Sequence, residues 1–286
     1  MGLLVYLLVN QGWAEMRAAL QHIAPWRFGL ALLLVMVSRL AVAGRWQVLL
    51  HSAGTGIRTG QSIGITFAGL FAANFLPTTI GGDVVRLAWV IRLGYDRAVC
   101  VASLVADRLV GMAGMAMALP FGIPGYIHYF QAAGRPAQSP LMLALPWLQP
   151  LKARLLSFTR RLFQALQLWM GKPRALLAAL AFTWVHMLCT FGIVWLFLTG
   201  MGEAISFWLV MGLWSAAYFI TLLPISINGM GVQELAMTFF YTQVGGISAP
   251  SGLTLALLMR LIQMIASLPG ALFLPQILGS KRQPAA

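Results

Sequence analysis

Leu76-Pro77-Thr78-Thr79-Ile80-Gly81-Gly82-Asp83 and Leu223-Pro224-Ile225-Ser226-Ile227-Asn228-Gly229-Met230-Gly231-Val232-Gln233-Glu234 decide how this chain is read. Each string sets a helix-breaking proline, a pair of glycines and one carboxylate between strongly apolar flanks. The chain has only 6 acidic residues, and one closes each string. Backbone that leaves helical geometry inside a bilayer exposes N–H and C=O groups at considerable cost. A break therefore survives only where protein buries it or where it lines a wet cavity. Interrupted apolar segments at corresponding places in two halves of a membrane protein are a pointer to a transport site.

The composition agrees with a membrane setting. The 286 residues are 60% hydrophobic and 9% charged, with a mean hydropathy of +0.83. These values exclude an ordinary soluble domain and indicate an all-α polytopic membrane protein. The net charge of +13 comes from residues in short gaps between apolar spans. That pattern belongs to cytoplasmic loops and contact with anionic lipid headgroups, not to the solvated basic face of a nucleic-acid binder. Cys100 and Cys189 lie in apolar spans and read as packing residues, and His22, His51, His128 and His186 show no ligand spacing. No metal or other cofactor is expected. The start, Met1 to Val9, is apolar but too short to span, so a shortened first helix is expected rather than a signal peptide.

Along the chain, full spans are expected at Phe28–Leu50, Ala98–Leu119, Leu176–Leu198 and Leu253–Leu274. Short apolar segments, Gln61–Phe75 with Val84–Leu93 and Phe207–Leu223 with Val232–Val244, flank the two breaks. Trp13–Trp26 reads as interfacial, as does the basic amphipathic helix over residues 151–170. A weak apolar run at Leu141–Leu148 is the candidate for an additional crossing. Arg45-Trp46 reads as an interfacial anchor pair. Arg45, Arg58, Arg92 and Arg97, then Lys152 to Arg174, then Lys281-Arg282, place these loops and the C-terminus in the cytoplasm. The first broken segment then enters and leaves from the cytoplasmic side, and the second from the outer side. The reading is one membrane domain over residues 1–286 with an inverted repeat, about 28–121 and 176–275, joined by 122–175. Each half holds a re-entrant helix pair flanked by full spans; the alternative is that each pair is two ordinary tilted spans.

Within the breaks, Pro77 and Pro224 end the incoming helix. Gly81 and Gly82, like Gly229 and Gly231, permit positive φ and close approach of a ligand. The outgoing helices start near Val84 and Val232, and their free N–H groups can hold a phosphate. Asp83 reads as a helix N-cap and Asn228 as its counterpart. Arg39, Asp107, Arg108, Glu234 and Arg260 are charges set within or beside spans. Intramembrane charge is costly and is usually paired and functional. Glu234 is expected to pair with Arg260, and Asp83 or Asp107 with a nearby arginine. Purely structural ion pairs are the plainer alternative, as hydrogen-bonded packing is for His186.

The stretch Asn74-Phe75-Leu76-Pro77 through Asp83 to Arg86, followed by Ala106-Asp107-Arg108-Leu109, resembles the lysylphosphatidylglycerol synthase transmembrane-region family. So do Arg45-Trp46, Leu223-Pro224 through Glu234, Arg260 and Leu268-Pro269-Gly270, and the likeness runs from about Phe28 to Phe273. The resemblance implies a lipid flippase module of the bacterial cytoplasmic membrane. The best-known members, bacterial multiple peptide resistance factor-like proteins, move a lipid with an amino-acid-modified headgroup between leaflets and carry a soluble aminoacyl transferase domain. That domain is not present in this sequence, so synthase activity is not carried over and a stand-alone, non-enzymatic member is expected.

The expected substrate-binding set is Asn74, Pro77, Gly81, Gly82, Asp83, Arg86, Asp107 and Arg108 in the first half. In the second half it is Pro224, Asn228, Gly229, Gly231, Glu234 and Arg260. The expected partners are membrane lipids, anionic or lipid-linked, with a homodimer or a lipid-modifying enzyme as further possibilities. Two other functions compete: a non-catalytic partner subunit of a lipid- or glycolipid-modifying enzyme, and an intramembrane lipid transferase with Asp107 and Glu234 as acid and base. Against the transferase, the sequence has no Ser/His/Asp order and no Gly-rich nucleotide loop.

Overall fold

The computed structural model describes residue 21 and residues 23–76, 81–132, 169, 171–222 and 231–273. Among these the regular structure is entirely helical. Four helices come from the first half: α1 (Pro25–Ser52), α2 (Thr59–Ala73), α3 (Gly81–Arg92) and α4 (Arg97–Ala118). A 3₁₀ turn, Leu119–Gly122, leads into α5 (Ile123–Ala132). The second half gives α6 (Pro173–Gly200), α7 (Phe207–Thr221), α8 (Val232–Phe239) with a π-helical extension Phe240–Val244, and α9 (Ala249–Ser267) with a 3₁₀ extension Leu268–Phe273.

Four helical stretches, Pro25–Ser52, Arg97–Gln131, Pro173–Gly200 and Ala249–Phe273, are long and apolar enough to cross a bilayer. At 1.5 Å per residue, a 28-residue helix such as α1 or α6 reaches about 42 Å, beyond the ~30 Å hydrocarbon core. α2 and α7, at 15 residues each, reach only about 22 Å. Leu33, Leu177 and Leu261 are more than half exposed on the long helices, as expected of surfaces solvated by lipid tails.

The order long, short, short, long occurs twice. Pro25 and Pro173 open α1 and α6, and Thr59 and Phe207 open α2 and α7, at the same spacing of 148 positions that separates Ser38 from His186. α1 and α6 pack antiparallel along their lengths. Gly44 meets Phe182, Ser38 meets His186, and Arg27 donates to the Leu196 carbonyl near the C-terminus of α6. The end of α1, the α3–α4 turn and the start of α2 share one apolar cluster built on Trp46, Leu50, Ile57 and Tyr95. Lys172 and Trp169 hydrogen-bond to Ser52 at that same end. The first short pair therefore starts and finishes at the end carrying Arg58, Arg92, Arg97, Lys172 and Arg174. Around the opposite end, Ile23, Met201, Ile205 and Ile247 pack in another cluster, and Glu203 hydrogen-bonds to Ser248. The second short pair starts and finishes there.

Lipid tails are as apolar as leucine, so helix contacts in a bilayer depend on close packing of small residues. The two halves grip each other in this way and reciprocally. A Cβ on Gly212 of α7 would lie 2.0 Å from the Gly122 nitrogen, in the turn after α4. A Cβ on Gly270, in the turn after α9, would lie 2.0 Å from the Phe67 oxygen in α2. Within the first pair, Gly69 and Gly82 bring α2 and α3 into backbone contact, with a Cβ on Gly82 reaching 2.6 Å from the Gly69 oxygen.

Two expectations are corrected here. α3 is already helical at Gly81 rather than from near Val84, which places Asp83 inside the helix instead of at an N-cap. Neither Gly81 nor Gly82 has positive φ; Gly82 serves helix packing against Gly69. The expected span at Leu253–Leu274 is present as Ala249–Phe273, α-helical to Ser267 and 3₁₀ from there, where Pro269 follows. α5 was not anticipated. The N-terminal segment, the run at 141–148 and the basic helix at 151–170, Trp169 apart, lie outside the described residues.

Candidate functional site

The site is built around Asp107, which is buried halfway along α4. Its Oδ1 accepts from Arg45 Nε of α1 at 2.6 Å, and its Oδ2 accepts from Arg86 Nη1 and Nη2 of α3 at 3.2 and 3.3 Å. Arg86 reaches Asp83 Oδ1 one turn earlier at 3.1 Å, and Arg108 Nε donates to Asp83 Oδ2 at 2.5 Å. The result is a continuous ionic chain, Arg45–Asp107–Arg86–Asp83–Arg108, with three cations and two anions. Arg45 also donates to Thr183 Oγ1 on α6 at 3.3 Å. The Arg86 guanidinium lies over the Trp46 ring at 4.2 Å from its centroid, a favourable stacking for a desolvated cation. Trp46 is fixed in turn by its indole N–H, which donates to Ser103 Oγ.

This arrangement satisfies the physics of buried charge: a lone ion in this setting is expensive, and paired, hydrogen-bonded ions are tolerated. The chain lines a cavity of about 190 Å³ that also touches Val42, Gly111, Met115, His186 and Tyr218.

The second half has a smaller version. Glu234 is fully buried on α8; its Oε2 accepts from the Gly231 backbone N–H at 2.8 Å, and its Oε1 accepts from Arg260 Nε on α9. Gly231 caps α8 at φ +83°, a left-handed conformation that glycine adopts without penalty. Asp83 and Glu234 are both the third described residue of the returning short helix, Gly81–Arg92 and Val232–Phe239. Arg108 and Arg260 are both the twelfth residue of the long helix that follows. The expected Glu234–Arg260 pair and the pairing of both aspartates with arginine are thus present.

The sequence model of one family, described as the lysylphosphatidylglycerol synthase TM region, matches residues 1–270. The chain belongs to this family. No curated protein matches it. Membership in a transmembrane-region family and the four apolar helices together make it a multi-pass membrane protein with a lipid-related role.

Of the residues expected at the site, the structure joins Asp83, Arg86, Asp107 and Arg108 in one network, and Gly231, Glu234 and Arg260 in another. Asn74 stands apart and donates to Ser267 Oγ at 2.7 Å, tying the tip of the first short pair to α9. Gly81 packs against Leu76. Pro77, Pro224, Asn228 and Gly229 lie outside the described residues.

Arg45 and Trp46 are a correction. Read as an interfacial anchor, they are buried, and they form the α1 side of the ionic chain. The reason is structural: α1 continues past them to Ser52, so an arginine there is inside the fold rather than at its edge. His186 and Tyr218, which line the cavity, had no comparable sequence signal.

Proposed function

We propose that this membrane protein is a lipid translocase that moves a phosphate-bearing lipid, amino-acid-modified or not, between leaflets without altering it chemically. The observation that supports this most is the pairing of polar interior sites with interrupted helix pairs. One carboxylate–arginine pair stands at the tip of each short helix pair, in matching register, and the two short pairs approach from opposite ends of the bundle. Read as an inverted repeat of re-entrant hairpins, this is the arrangement that alternating access requires, because each hairpin can gate one face around a central site.

In this reading the end carrying Arg58, Arg92, Arg97, Lys172 and Arg174 faces the cytoplasm of a bacterial cell. Lipid is the partner throughout, with the tails kept in the bilayer. The ionic chain offers a headgroup both signs: arginine forks for phosphate and, at Asp83, a carboxylate for an ammonium group.

The test is leaflet exchange. Purified protein in vesicles carrying fluorescent anionic, zwitterionic and amino-acylated phospholipids is expected to speed headgroup exchange. Asp83→Asn and Glu234→Gln are expected to abolish it. Failure to exchange any of these lipids overturns the proposal in favour of a partner-subunit role.

A further inference from the structure

A second interior cavity of about 190 Å³ adjoins the first through the shared wall of Met115, His186 and Tyr218. It occupies the matching place in the second half. Counted from the first described residue of each helix, Thr190, Ile193, Met237, Met259 and Gln263, which line it, correspond to Val42, Arg45, Arg86, Asp107 and Gly111, which line the first. The ionic chain is thus replaced there by Ile193, Met237 and Met259. One cation takes its place: Arg39, in mid-α1.

Arg39 makes no hydrogen bond or ion pair with any described residue, and its Nε is buried without a partner. Among the described residues, no carboxylate lines the cavity. The polar groups beside Arg39 include Ser38, His186, Gln233 and Gln263, which supply hydroxyl, imidazole and carboxamide groups able to donate. Ser38 and His186 are already fixed to each other at 2.7 Å. A lone guanidinium among donors, with no counter-charge, in the middle of a membrane-spanning helix, marks a place that an anion completes.

An apolar groove of about 230 Å³ lies beside it on the same three long helices, lined by Phe28, Leu32, Phe197, Leu258 and Ile262 among others. On α1, Phe28, Leu32, Val35 and Arg39 follow one another at helical spacing along one face. On α9 the groove residues Leu258 and Ile262 are next to the cavity residues Met259 and Gln263. The groove is open to the lipid side, since Leu32, Leu261 and Ile265 are exposed.

We infer that the Arg39 cavity is an anion site that takes the phosphate of a lipid whose acyl chain lies in this groove. The inference rests on the translocase reading for its purpose but on the cavity alone for its chemistry. At about 30 Å³ per water, the space holds about six waters, enough for a phosphate with a small substituent.

The test is calorimetric titration of the purified full chain with dihexanoyl phosphatidic acid, dihexanoylglycerol and inorganic phosphate. Phosphatidic acid is expected to bind far more tightly than either of the others. Arg39→Gln is expected to weaken it at least about tenfold, the loss of a charge-assisted hydrogen-bonded contact, while Arg39→Lys weakens it less. Leu32→Trp, a lipid-facing change that spares the fold, is expected to weaken phosphatidic acid and leave inorganic phosphate unchanged. Equal binding of phosphatidic acid by the parent and by folded Arg39→Gln overturns the site, as does equal binding of phosphatidic acid and dihexanoylglycerol. Leaflet exchange bears on the other reading alone: Arg39-dependent binding in a protein that exchanges no lipid keeps this site and removes the translocase.

Discussion

The two halves of the molecule place a carboxylate and an arginine at the same helical positions, yet they surround those pairs differently. In the first half, Asp107, Arg45 and Arg86 extend the pair into a five-membered ionic chain in which every charge has an opposite partner. In the second, Met259, Ile193 and Met237 hold the corresponding positions, and the Glu234–Arg260 pair is closed off on its own. The lone cation Arg39 faces that apolar replacement. One scaffold therefore carries a cavity in which every arginine is paired with a carboxylate and a cavity whose arginine has no carboxylate partner among the described residues.

The largest effect that would break this comparison is at Asp107. Asp107→Ala strands Arg45 in the interior and leaves Arg86 with Asp83 alone, and removing one partner of a buried ion pair costs about 3–5 kcal/mol. Thermal unfolding in detergent should show a large loss or a failure to accumulate folded protein. Arg39→Leu should act in the opposite direction. It removes an uncompensated charge whose mid-bilayer cost is about 2.5–3.5 kcal/mol on insertion scales, so the melting temperature should rise, whereas Arg45→Leu should lower it. Equal signs for these two substitutions would remove the distinction between a compensated and an uncompensated cavity.

Next in size are the reciprocal glycines. Gly212→Ala and Gly270→Ala each force a methyl group into backbone of the other half, and overpacking costs about 1–3 kcal/mol. Similar losses are expected for both, while Gly29→Ala, with open space at its Cβ, should be neutral or stabilising. A clear inequality between Gly212 and Gly270 would show that the halves do not clasp each other equivalently.

The smallest effect is at the end of the bundle away from the basic loops. Partial burial pushes the Glu203 carboxyl up, but hydrogen bonds from Ser248 outweigh this and hold it below its ordinary value of 4.5. A carboxylate depressed in the folded state contributes stability above its unfolded pKa and loses it as pH falls through the folded one. Glu203→Gln should therefore cost about 1 kcal/mol or less at neutral pH, and the difference from the parent should shrink as pH falls below 4.5 and through the folded-state value.

Much of this was legible from residue order. The four long spans follow from unbroken apolar runs, and the pairing of Glu234 with Arg260 follows from the cost of leaving either alone in a bilayer. Asp83 was misjudged because a carboxylate after two glycines has the local chemistry of a cap. Its capture by Arg108, 25 positions away, depends on how α3 lies against α4. Arg45-Trp46 was misjudged because arginine and tryptophan at a span end are the usual interfacial pair, and only the continuation of α1 and its packing against α4 and α6 bury them.

The sequence by itself determined that this is a helical membrane protein with two interrupted segments, because hydropathy, proline and glycine act locally and the bilayer penalises every unsatisfied backbone group. The tertiary structure alone decided which charges meet. Antiparallel packing of α1 on α6 brings Arg45 to Thr183 and Ser38 to His186, and the crossing of α4 brings Asp107 between two arginines. Those contacts join residues tens of positions apart, and no local propensity encodes them. The same packing leaves Arg39 facing a cavity that no carboxylate among the described residues lines.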